Sequence, residues 1–141
     1  MNHLVWTPHM ALGIPSMDLA HQALIEQIAW LQEQHGRDFT QGMAQLIEHI
    51  ELDFREEENL MEEIDFPGLR SHREQHARAL ATLHSLAEDD QVTARKVLAL
   101  LTLWFEQHMA SMDARLALAL QQSGKAFALA PGAPLLAGDM L

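Results

Sequence analysis

Apolar residues recur every three or four positions along four long stretches of this chain, and that rhythm admits few folds. In the first stretch, residues 17–35, His21, Leu24, Ile25, Ile28 and Leu31 share one helical face. Ser16 stands where an N-terminal cap belongs, and Gly36 where a left-handed residue ends a helix. The second, residues 40–64, carries Met43, Leu46, Ile47, Ile50, Phe54, Met61 and Ile64, and Asp65-Phe66-Pro67-Gly68 reads as a turn. The third, residues 69–88, presents Leu69, His72, His76, Leu80, Leu83 and Leu86. A short acidic junction, Glu88-Asp89-Asp90, supplies caps for the fourth, residues 91–123, whose stripe is Val97, Leu101, Trp104, Phe105, His108, Met112 and Leu116. Junctions this short make neighbouring helices antiparallel. The expected fold is all-α: an up-down-up-down four-helix bundle over 1–123, including an N-terminal arm, followed by an irregular apolar tail over 124–141.

Composition removes most competing functions. The chain has 141 residues, enough for one domain, and 48% of them are hydrophobic, enough to fill a core. Acidic residues outnumber basic ones 20 to 9, which speaks against nucleic acid or an anionic membrane surface as partner. No cysteine is present, so disulfides and thiolate ligands are excluded and a reducing compartment is suited. The longest apolar run, Val97 to Phe105, is far short of the roughly 20 residues a membrane span needs. The opening MNHLVWTPHM lacks the basic start and apolar run of a secretory signal, so a cytoplasmic location is expected.

Histidine is the surplus residue, with nine copies, and its placement matters more than its number. His72 and His76 lie four apart and interrupt a leucine stripe. Asp53 and Glu57, also four apart, share the face of Ile50 and Ile64, although periodicity alone does not choose between Glu57 and Glu58. His21 lies in the first stripe, and His108 in the fourth, with Asp113 five residues on. A buried carboxylate must be paired, protonated or bound to metal, and no cationic side chain shares the stripe with Asp53 and Glu57. Carboxylates that can bridge hard cations, with imidazoles in terminal positions, suit a di-iron or di-manganese cage. His3, His9, His35 and His84 read as surface or arm residues, and the methionines as core filler.

Taken in order, these residues resemble the hemerythrin family, its bacterial branch in particular. The pattern runs from Trp6 through Gly13-Ile14 to Asp18 and His21, then Asp53-Phe54-Arg55-Glu56-Glu57 to Met61. It continues with His72-Arg73-Glu74-Gln75-His76 and with Trp104, His108 and Asp113, covering residues 6–118. The resemblance implies two non-haem iron ions bridged by an oxo or hydroxo group, with manganese also conceivable. His72, His76 and His108 would bind one iron, Glu57 and Asp113 would bridge, and His21 would bind the second. That second iron would be coordinatively unsaturated and take dioxygen, while Trp104 and Phe105 would line its pocket.

One ligand departs from the family pattern. The helix-two histidine, four residues before the bridging glutamate, is Asp53 here. An anionic oxygen favours the ferric state and widens tolerance for manganese. The resemblance implies dioxygen binding as carrier, store or sensor. The alternative, which the ligand change at Asp53 favours, is an oxidase- or peroxidase-type enzyme acting on dioxygen or peroxide, and a third reading is a bundle that has lost the dinuclear centre. His49, one helical turn (about 5.4 Å) before Asp53, is a less favoured substitute ligand.

Overall fold

Helix α1 spans Pro15–Gln32, α2 Gly36–Glu63, α3 Leu69–His84 and α4 Gln91–His108. A π-helical turn, Met109–Asp113, joins α4 to α5, Ala114–Gln122. The computed structural model describes residues 4–87 and 89–124. The fourth expected rod is thus α4, the π turn and α5 in series. Helix α1 packs against α2 and α4, and α2 against α3. The short connections reverse the chain each time, which gives the up-down-up-down bundle. No helix among the described residues is long and apolar enough to cross a membrane. His3 and the tail expected over 124–141, Gly124 apart, lie outside the described residues.

The helix ends differ from expectation for local reasons. Pro15 opens α1, its fixed φ already helical, so Ser16 falls inside the first turn and caps nothing. Asp18 instead accepts from the backbone N–H groups of Leu12 at 2.7 Å and Gly13 at 3.2 Å, tying the arm to the helix. Gly36 does adopt the left-handed conformation, with φ at 56°, but it opens α2, and α1 has already ended at Gln32. Helix α2 starts ahead of Thr40 because Phe39, 1% exposed, is a core anchor of its first turn, with the Arg95 guanidinium 4.1 Å above its ring. Helix α3 stops at His84. Asp90 caps α4 as expected, accepting from Thr93 N at 3.0 Å and Thr93 Oγ1 at 2.6 Å.

Two apolar clusters fill the bundle. The larger runs from Leu24 to Leu31 on α1, Phe39 to Phe54 on α2, and Ala94 to Phe105 on α4. The smaller gathers Ile14, Met17, Met61, Leu116, Ala117 and Leu120. Burying a residue such as Leu31 or Leu46 completely, both 0% exposed, contributes about 1.5–3 kcal/mol each. Met17, Met43, Met61 and Met109 are buried in these clusters, as core filler should be. Helix α3 contributes least, burying only Leu83 besides two histidines. In sequence, His21, Glu57, His72, His76 and Asp113 fall between the stretches that build the two clusters, and Asp53 and His108 stand at the edge of the larger one, so a polar layer divides the core.

Candidate metal centre

The polar layer takes side chains from all four rods. His21 comes from α1, Asp53 and Glu57 from α2, His72 and His76 from α3, and His108 and Asp113 from either end of the π turn. All seven are buried, the most exposed being Asp53 at 8%. The four-residue spacings on α2 and α3 place each pair on one face. The five-residue spacing from His108 to Asp113 would put them about 140° apart on an α-helix. The wider π turn cancels that rotation and leaves Asp113 Oδ1 3.1 Å from His108 Nε2.

Glu57 and Asp113 each face two ways. Glu57 Oε1 lies 3.2 Å from His76 Nε2 and 3.5 Å from His72 Nε2, while its Oε2 lies 3.2 Å from His21 Nε2. Asp113 Oδ1 is 2.9 Å from His72 Nε2, and its Oδ2 is 3.0 Å from His21 Nε2. Both carboxylates therefore present one oxygen to a three-histidine side and the other to a His21 side. On the first side, His108 Nε2 is 3.1 Å from His72 Nε2 and 3.2 Å from His76 Nε2. One donor atom from each of Glu57, His72, His76, His108 and Asp113 lies within 4.8 Å of every other.

Metal-free, this cluster is an ionic network. Burial works to lower the His21 pKa, but its contacts with Asp113 and Glu57 outweigh that and raise it to about 10. His72 is raised to about 9 by the same carboxylates, again against the effect of burial. Burial and Asp113 push Glu57 upward, yet the imidazoles of His21, His72 and His76 pull it down to about 2. Asp113 is held well below the usual carboxylate range despite its burial, by the imidazoles of His108, His21 and His72. Asp53 behaves differently: burial, reinforced by Glu56 and Glu57, pushes its carboxyl up to about 8.

A second ring of contacts orients the imidazoles. His76 Nδ1 donates to Glu58 Oε2 at 2.9 Å, and His108 Nδ1 to Gln75 Oε1 at 3.0 Å. Phe54 stacks on His76 with centroids 3.8 Å apart, Trp104 on His108 at 4.5 Å, and Phe105 meets His21 edge-on at 5.6 Å. Leu24, Ile50, Phe54, Trp104 and Phe105 line a small apolar cavity. Leu24 and Ile50 are each three residues, about one turn, from His21 and Asp53, whereas Phe54 and Trp104 stack on His76 and His108, so the lining residues neighbour both sides of the layer. Sequence reasoning singled out Trp104 and Phe105, held Glu58 only as an alternative to Glu57, and left out Gln75 and Phe54. Phe54 could have been read from its place beside Asp53, whereas nothing in the spacing marks Gln75.

This chain is similar to proteins of a single kind. It is 31% identical over 123 residues to the bacteriohemerythrin of Ralstonia nicotianae, covering 84% of this chain and 90% of that one. The chain belongs to the hemerythrin family. The bacteriohemerythrin of Pseudomonas paraeruginosa is 26% identical over 121 residues, 81% of this chain and 79% of its own. The myohemerythrin of Riftia pachyptila is 28% identical over 112 residues, 77% and 87% of the two chains. No family model and no solved structure matches the chain.

A hemerythrin centre can be tested against the donors themselves. Two donors at right angles, each about 2.1 Å from one ion, stand about 3.0 Å apart. The donor separations on the three-histidine side cluster around that value. Glu57 Oε1 and both Asp113 oxygens are sealed from solvent without a good hydrogen bond, as is Asp53 Oδ2. Oxygen and imidazole donors in this number fit hard or borderline cations such as iron and manganese. The residues fit the group.

Outside that hemerythrin core, the remaining histidines mostly behave as expected. His9 and His84 are exposed, the latter 3.0 Å from Glu51, and His35 lies at the start of α2 beside Arg95. His49 differs. Its ring is engaged with Gln27 and faces Asp53.

Proposed function

We propose that this hemerythrin-family chain holds two non-haem iron ions and binds dioxygen, as a carrier, store or sensor. The two-sided arrangement of Glu57 and Asp113 is the observation that carries this reading. His72, His76 and His108 would hold one ion, and His21 with Asp53 the other, while Glu57 and Asp113 would be shared between them, together with an oxo or hydroxo group. A ferrous pair supplies the electrons on which dioxygen binding draws.

The protein's own part is enclosure and orientation. Glu58 and Gln75 fix the rings of His76 and His108, so their Nε2 atoms converge. The aromatic shell keeps water from the layer, with Phe54 and Trp104 over the three-histidine side and Phe105 over His21. We assign iron on the imidazole-rich donor set, with Asp53 extending tolerance to manganese, and take peroxide to have access to the same centre. The lack of cysteine suits a cytoplasmic setting.

The oxidase reading attached to Asp53 is not favoured by relatives that are bacteriohemerythrins and a myohemerythrin. Two measurements test the proposal: metal identity and stoichiometry, then repeated deoxygenation and reoxygenation followed optically. Two irons per chain and a ferrous spectrum that returns without added reductant are expected. Rapid loss of the ferrous form on each exposure would transfer the chain to the oxidase class, and a metal-free chain would remove both.

A further inference from the structure

Where the family pattern has a histidine, this chain has a carboxylate with another histidine one turn behind it. Asp53 Oδ2 is sealed from solvent and makes no hydrogen bond of good geometry. It faces His49 Nε2, 3.3 Å away. The imidazole is itself tethered, because His49 Nδ1 lies 2.5 Å from the Gln27 side-chain amide, whose N–H donating to Nδ1 leaves Nε2–H to face Asp53. Gln27 belongs to α1, the helix that carries His21, so the tether reaches across the bundle between the helices of the second half-site.

We propose that His49, anchored by Gln27, is the positioning residue for Asp53, so that imidazole is retained at this half-site but moved to an outer position. With Oδ2 turned to His49, Oδ1 is left as the donor. An aspartate held at one oxygen loses the rotational freedom that would weaken it as a ligand, and outer partners of this kind are worth about 10- to 100-fold in metal affinity. His49 does not serve as the ligand itself, because Asp53 occupies its Nε2 side and Gln27 its Nδ1 side. The inference rests on reading Asp53 as a ligand in a two-ion centre.

The test uses the full chain loaded with ferrous ion under nitrogen, then challenged with chelators of increasing strength, with iron per chain and helical content read together. The parent should hold two irons. His49→Ala should release one of them to chelators about 10- to 100-fold weaker than the parent requires, with the other iron unmoved. His49→Gln, which retains a donor, should recover most of that loss. Gln27→Leu, which leaves α2 intact, should lose in the same direction and keeps the test open should His49→Ala not fold. In an Asp53→Ala background, His49→Ala should add nothing, since its effect passes through Asp53. Two irons held as tightly in His49→Ala and Gln27→Leu as in the parent would overturn the role of His49, as would a further loss in the double variant. A parent holding fewer than two irons defeats the two-ion reading itself, and the role of His49 with it.

Discussion

Asp113 Oδ1 stands 3.1 Å from His108 Nε2 across five residues because the helix between them is a π turn. The position of this carboxylate therefore depends on backbone geometry as well as residue type. Exchanging Met112 and Asp113 moves the carboxylate to the four-residue spacing that an ordinary α-helix would favour. With the π turn in place, the displaced group should miss both His72 and His21, and iron should fall below two per chain. Two irons in the Met112→Asp, Asp113→Met variant would show that the π turn does not set the position.

The outer partners should matter to iron affinity through the rings they hold. Glu58 accepts from His76 Nδ1 and is itself 3.4 Å from Arg73 Nε. Glu58→Ala and Gln75→Leu should each lower iron affinity about 10- to 100-fold while leaving helical content near the parent's. Glu58→Gln, still an acceptor, should lose less. Chelator competition on the loaded protein measures all three, and unchanged affinity in Glu58→Ala would remove its orienting role.

The bundle was legible in the sequence because stripe, turn and cap all point to the same four rods. Helix boundaries were less so: whether Pro15 or Ser16 opens α1 depends on how the arm folds back onto Asp18, a contact invisible to periodicity. Four imidazoles and two carboxylates, Asp53 and Asp113, could be found on buried stripes by spacing alone. The choice of Glu57 over Glu58 could not, since both lie within one turn of Asp53. In the structure Glu57 points between three histidines, whereas Glu58 reaches the outer nitrogen of His76. The π turn was written only as an odd five-residue spacing, whose meaning appears once both ends share a site.

Helix α3 should be the element most dependent on metal. It fully buries only His72, His76 and Leu83, with Leu69, Ala79 and Leu80 partly buried against the apolar clusters, so two of its three fully buried side chains make ionic contacts. An ion that binds only the folded chain adds about 2.7 kcal/mol at a hundredfold excess over Kd, or roughly 10 °C in the unfolding midpoint. Removing iron should therefore lower the midpoint by that order. Hydrogen exchange should quicken first over Leu69–His84, with α1 less affected. Uniform loss of protection across all helices would contradict this.

A control separates stability from the site. Leu46 is 0% exposed and belongs to the larger apolar cluster, well removed in sequence from every proposed ligand on α2. Leu46→Ala should cost about 2–5 kcal/mol by leaving a cavity, yet retain two irons at temperatures where it remains folded. Denaturant unfolding and iron analysis of the same preparation read the two effects. Loss of iron from folded Leu46→Ala would show that the centre depends on packing far beyond its own layer.

Asp53 is where this chain leaves the family pattern, and its chemistry sets the direction of the last prediction. Burial pushes its carboxyl up to about 8 in the metal-free chain, so an ionised Asp53 is costly until a cation faces it. Bound there, an anionic oxygen stabilises the ferric state relative to a neutral imidazole. Asp53→His removes that charge and should slow oxidation of the ferrous pair, giving more oxygenation cycles before the ferrous spectrum is lost. The larger ring must find room at a position 8% exposed, so His49 is expected to turn outward from its place beside residue 53. Oxidation rates followed optically under air decide the point. A variant with two irons that oxidises as fast as the parent would mean that the charge at residue 53 does not govern the redox balance of the centre.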